Sequence, residues 1–214
     1  MTNCPVIGLK LALLLALVGG GGGCTSHQSA PQVASDLTSP KAAALTFLRA
    51  ISAGDVRTAK SACMGTEQDK ASVEALSSLI TGLREYDQAV TGRFGVEAAQ
   101  VDAQLKQAIS DLWDVSITHV ENAIVKEGSE TATVEPAFQG VRLQARPPIF
   151  LRKEKDRWKV DLTATSRVDK RFDPAVAEQY LAAGKALHEA ARKVKSGRYK
   201  TLADVQRDAD STVP

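Results

Sequence analysis

The spacing of apolar residues along the 214-residue chain changes several times, and each change marks an element. Val6 to Val18 is an apolar run interrupted only by Gly8 and Lys10, and it ends in the five glycines 19–23. Thr25 to Thr38 is rich in Ser, Gln, Ala and Pro with no apolar period, the composition of a flexible tether. Ser39-Pro40 then supplies a hydroxyl N-cap and a proline suited to a first helical turn. Ala44, Phe47, Leu48 and Ile51 line one face of the helix that follows, to about Ala53. Gly54 is placed as its stop, and Asp55 can cap a second short helix through Ala62. From about Gln68 to Val90, apolar residues including Val73, Leu76, Leu79, Ile80 and Leu83 recur at three- and four-residue steps, predicting a longer helix. Gly92 and Gly95 break it, and another helix follows with Val101, Leu105, Ala108, Ile109 and Leu112 buried.

At Trp113 the period shortens. Val115 and Ile117 alternate, and Val120 and Ile124 continue on the other parity, which predicts a long strand with a bulge. Thr131–Glu135 returns after the Glu127-Gly128-Ser129 turn, and Val141–Ala145 and Ile149–Lys153 add extended chain. A tight turn at Lys155-Asp156 leads into the clean alternation Trp158–Leu162. Asp173-Pro174 repeats the cap-and-proline signal for a helix burying Val176, Tyr180, Ala183, Leu187, Ala190 and Val194, with Gly197 beyond its end.

Helices first, then strands in series, then a terminal helix predict a segregated α+β fold. The expected arrangement is N-terminal helices packed on a curved antiparallel sheet, plus a C-terminal helix. It occupies residues 39–200 as one domain, with a short helix and loose tail over 201–214. The Ala43–Ala53 helix ending in Gly54-Asp55, and the final hairpin Leu151–Glu154 and Arg157–Asp161, resemble the nuclear-transport-factor-2-like (cystatin-like, cone-shaped) domains. The long helical stretch 68–112 and the helix 174–196 depart from that pattern; either could fill or cover the mouth of the cone.

Residues 1–23 have the length and composition of a signal peptide. The apolar run is too short to span about 30 Å of hydrocarbon comfortably. Gly22-Gly23-Cys24 resembles a bacterial lipobox, although Gly21 replaces the usual leucine. The resemblance implies cleavage before Cys24, acylation of its thiol, and a tether over 24–38. Thr25 after the cysteine then leans towards the outer membrane. Three other outcomes stay open: cleavage near Val18-Gly19-Gly20 to release a soluble protein, retention of the leader as an anchor, or the run as an internal hydrophobic helix, which its N-terminal position disfavours. Cys63 becomes the only free thiol of an acylated chain and reads as a buried apolar residue; an unacylated Cys24 could bridge to it.

Charge is unevenly spread. Residues 1–141 carry 10 Lys and Arg against 15 Asp and Glu, whereas residues 142–200 carry 16 against 7. A basic face towards an anionic partner is one reading, but Lys153-Glu154-Lys155-Asp156-Arg157 alternates in sign, as an ordinary solvated surface does.

Enzymes of the resembled family hold a general acid or base within the cone. Asp114, His119 and Asp161 on predicted strands, and Tyr86, are the candidates here, with Asp161 expected to face solvent. No family motif surrounds any of them. His27, His119 and His188 lack metal-ligand spacing, and no phosphate loop or nucleophile motif is present. No cofactor, metal or nucleic-acid partner is expected. The expected function is a non-enzymatic, lipid-anchored envelope module with a protein, cell-wall or anionic-lipid partner. The alternatives are a small apolar ligand in the cone, or a cavity-based isomerase or dehydratase.

Overall fold

The computed structural model describes residues 32–95 and 115–205. Helix α1 (Pro40–Ala53) begins where Ser39 accepts a hydrogen bond from the Ala42 amide, and it ends at Gly54 with φ 79°. Asp55 caps α2 (Val56–Ser61), which leads into the two-residue strand β1 (Cys63–Met64). Helix α3 (Glu67–Phe94) is longer than its periodicity predicts. Thr66 and Asp69 close a reciprocal capping box at its start, while Gly92 lies within it and Gly95 stops it.

The long strand expected over 113–124 is replaced by helix α4 (Val115–Glu121), and strand β2 is confined to Ile124–Glu127. Ile117 and Val120 stand three residues apart within α4, so the change of parity there is a helical step and not a bulge, and Ile124 lies beyond the helix at the start of β2. Strands β3 (Thr131–Glu135), β4 (Ala137–Phe138), β5 (Val141–Arg142), β6 (Ile149–Glu154) and β7 (Arg157–Asp161) follow. The chain turns into the short helix α5 (Leu162–Thr165) one residue earlier than alternation predicts. Asp173-Pro174 opens a single 3-10 turn, and helix α6 (Ala177–Lys195) follows it. Residues 202–205 are helical. The leader, Cys24, the helix expected over 101–112, Trp113, Asp114 and residues 206–214 lie outside the described residues.

The main sheet has the order β1-β7-β6-β3-β2, antiparallel except for the β1–β7 pair, and β4–β5 forms a separate hairpin. This is the α+β class that the element order predicts. Helix α1 is the middle layer: its Phe47, Leu48 and Ile51 share one core with Val134, Leu151 and Val160 of the sheet and Leu76 and Ile80 of α3. Ser77 on α3 donates to the Ile51 carbonyl across that layer at 3.0 Å.

Helices α3 and α6 run side by side in the same direction, with Ser78 beside Gly184, Glu85 beside His188 and Arg93 beside Tyr199. They touch almost backbone to backbone. A Cβ on Gly82 would stand 2.9 Å from the Gly184 carbonyl oxygen, so glycine is what permits the crossing.

Part of the stretch expected to be tether is instead strapped to the domain. Val33 donates to Asp55 Oδ2 at 2.9 Å, the Asp36 amide and carbonyl both bond the Thr46 hydroxyl, and Leu37 is buried. The Leu37 carbonyl accepts from Trp158 and the Ala62 carbonyl from Val160, so the outer edge of β7 is covered along its length. Composition could not show this, because the anchoring groups are mostly backbone amides and carbonyls.

Candidate functional site

Among the described residues, the space beneath the sheet is filled by buried side chains. A cleft of about 10 Å³ remains among Leu48, Val120, Pro136, Arg146, Ile149 and Phe172, room for about one water molecule. Phe172 is the main plug. Its ring lies 5.5 Å from that of Phe47 in a tilted contact. The turn carrying Phe172 is fixed by Arg171, whose Nε and Nη2 donate to the two oxygens of Asp169 at 2.9 and 2.6 Å. Among the described residues, the connector between α5 and α6 thus contributes to the filling beside side chains of α3 and α6 that share the same core.

The candidate acid–base residues are dispersed. Tyr86 is buried on α3, where loss of solvent pushes its phenol up to about 12. His119 lies on helix α4, not on a strand. Burial, and then the positive charge of Arg146, hold its pKa below the ordinary value, and its Nδ1 has no partner among the described residues. The His119 ring meets Phe138 edge-on, with centroids 6.4 Å apart.

Asp161 does not face solvent. It is 9% exposed, accepts from the Ala164 amide at 3.0 Å to cap α5, and pairs with Arg152 at 3.0 Å. Parity fails for it because β7 ends there, and the turn into α5 draws both Val160 and Asp161 inward. Asp161 thus has a structural task, as does Asp69, whose Oδ2 accepts from the Thr66 amide and from the Thr66 and Thr163 hydroxyls at 2.9–3.0 Å.

One constellation was invisible in the sequence because His188 lies more than 100 residues from its partners Thr81 and Glu85. His188 on α6 places Nδ1 3.0 Å from Glu85 Oε2 and Nε2 3.5 Å from Thr81 Oγ1. The order hydroxyl–imidazole–carboxylate is that of an acyl-transfer triad. Its chemistry is different here, because Thr81 Oγ1 lies within hydrogen-bonding distance of the Ser77 and Ser78 carbonyls of its own helix, at 2.8 and 3.2 Å. The cluster works as a clamp between α3 and α6.

Cys63 is 2% exposed and its thiol is pushed up to about 12 by burial. It is a free, buried small side chain, as its apolar neighbours predict. Among the described residues no three His, Cys, Asp or Glu side chains converge as metal ligands, and no helix is long and apolar enough to cross a membrane.

Two features mark the surface. The basic excess of residues 142–200 is largely interleaved with carboxylates: Lys159–Glu154 at 2.6 Å, Arg152–Asp161 at 3.0 Å and Lys170–Asp173 at 3.2 Å. The β4–β5 hairpin, by contrast, holds two large apolar side chains in solvent, Phe138 at 52% exposure and Val141 at 68%. Scans of family models, curated proteins and solved structures give no match to this chain, so its residues and geometry alone carry the functional reading.

Proposed function

We propose that the protein is an exported lipoprotein, anchored to the cell-envelope membrane by acylation of Cys24 after removal of residues 1–23. Its α+β domain then serves as a non-enzymatic binding or structural module. One observation supports the second half of this reading: among the described residues, Phe172 and Phe47 plug the region beneath the sheet and leave a cleft of about 10 Å³. A substrate or apolar ligand of ordinary size needs several hundred Å³. The remaining grooves, such as the 480 Å³ depression over Met64, Thr66, Arg152 and Thr163, are open to solvent. The nuclear-transport-factor-2-like resemblance is part of the proposal, supported by α1 lying across an antiparallel sheet.

The first half rests on the apolar run Leu11–Val18 and the Gly22-Gly23-Cys24 junction. Two or more acyl chains hold a protein stably on a bilayer, where one gives only marginal binding. Fractionation of producing cells tests it. The wild-type protein is expected to sediment with membranes, and Cys24→Ser to leave that fraction. A cleaved Cys24→Ser protein that sediments like the wild type contradicts the anchor.

A further inference from the structure

We infer that the face formed by the strap and the β6–β7 turn docks on the membrane, with Lys155 and Arg157 holding anionic lipid headgroups; the inference rests on the proposed anchor at Cys24. Two shallow depressions of about 500 and 450 Å³ open there. Ser35, Leu37, Lys155 and Arg157 line both, so the two adjoin along the strap.

The cations are presented in a fixed geometry. Lys155 at φ 49° and Asp156 at φ 61° make the left-handed two-residue turn of the hairpin, closed by the cross-strand pair Glu154 and Arg157. Trp158, next along β7, is buried and donates to the Leu37 carbonyl at 2.9 Å, which ties the hairpin to the strap. Lys155 and Arg157 are exposed and take part in no ion pair or side-chain hydrogen bond. The carboxylates lining the same depressions are engaged by other groups. Asp36 accepts from the Thr38 amide and hydroxyl, Glu154 pairs with Lys159 at 2.6 Å, and Asp156 faces Lys153 at 3.8 Å.

Chain length selects the occupant. Val33 is fixed to Asp55 at 2.9 Å, and the nine residue steps back to Cys24 span at most about 30 Å. Ser35, in the wall of both depressions, follows two residues later. The leash from the acyl chains therefore ends at this face and keeps it close to the bilayer. Residues 25–31 contain no Asp or Glu, so the leash brings no carboxylate of its own to the two cations.

The chemistry suits a headgroup phosphate. A guanidinium meets two phosphate oxygens at once, an ammonium adds a point charge, and both sit on long apolar stems that lie along an interface. Each cation at an anionic leaflet raises the docked-to-free ratio about fivefold, so the pair is worth about 25-fold.

The test uses the acylated chain 24–214 with an environment-sensitive fluorophore at Ser35→Cys, reconstituted in vesicles of phosphatidylethanolamine and phosphatidylglycerol. The buried Cys63 does not compete for the label. Emission should be bluer and iodide quenching weaker than in phosphatidylcholine vesicles, and high salt should remove the difference. Lys155→Gln with Arg157→Gln should abolish it, and Lys155→Arg with Arg157→Lys should retain it. Lys185→Gln with Arg192→Gln, which removes the same charge from α6, should also retain it. Equal protection in the two lipids overturns the inference, as does protection that survives in the first double variant or is lost equally in the α6 variant. Protection that appears only with added envelope proteins, or that millimolar inorganic phosphate abolishes, overturns the lipid assignment. A free thiol at Cys24 would show instead that the anchor fails. A Cys24→Ser chain held by an N-terminal histidine tag on nickel-chelating lipid then still reads the face by itself, and absence of a difference between the lipids there overturns it.

Discussion

Gly184→Ala should destabilise the protein, although the same change is usually favourable in a helix. The added Cβ would lie 2.7 and 2.8 Å from the carbonyl carbon and oxygen of Ser78, closer than real Cβ atoms approach other heavy atoms. Both are backbone atoms of α3, so relief requires α3 and α6 to move apart along their shared contact. Overpacking of this kind costs about 1–3 kcal/mol, and rigid backbone on both sides puts this site at the upper end. Replacing glycine by alanine in a helix returns about 1 kcal/mol. The net loss is about 2 kcal/mol, a fall in Tm of about 4–8 °C at this chain length. Gly92→Ala is the internal control: it sits within α3 with nothing described within 4 Å, so it should gain about 0.5–1 kcal/mol. Paired thermal and urea unfolding of the two variants decides the matter. A Gly184→Ala protein as stable as Gly92→Ala would refute the close crossing.

Asp69→Ala removes the acceptor shared by the Thr66 amide and by the Thr66 and Thr163 hydroxyls. It should cost about 1–3 kcal/mol in urea unfolding. Burial alone would raise the Asp55 pKa, but the amides of Thr58 and Val33 outweigh it and hold the carboxyl below its ordinary 3.8. Its contribution is complete above that value and is lost as pH falls through the lower folded one, so the protection of the Val33 amide, measured against its intrinsic exchange rate at each pH, should fall below about pH 4. Asp55→Asn should weaken that pH dependence. Cys63, with its thiol pushed up to about 12, should resist alkylation at pH 8 in the folded protein and react at once in denaturant.

The elements with strong local signals are legible in the sequence. Ser39-Pro40, Gly54, Asp55 and the three- and four-residue spacing from Val73 to Leu83 correctly locate α1, α2 and the bulk of α3. The misreadings occur where one pattern has two physical meanings. Val115, Ile117 and Val120 are β-branched and satisfy both a bulged strand and a helix, and the helix forms, while Ile124 begins the strand β2. Asp161 alternates outward by parity until the strand ends beneath it. The strap at Val33–Leu37 and the clamp of Thr81, Glu85 and His188 depend on partners 10 to more than 100 residues away, which no local window contains. Phe172 gives no sequence sign of its role, because its plug position is set by the Asp169–Arg171 pair and by Phe47 across the core.

The central claim is that Cys24 is an acylated N-terminus, and mass spectrometry of protein extracted from membranes tests it most directly. The account predicts a mature chain beginning at Cys24 whose first residue carries the added mass of a diacylglycerol. A mature chain that begins elsewhere, or one that begins at Cys24 with a free thiol, would contradict it.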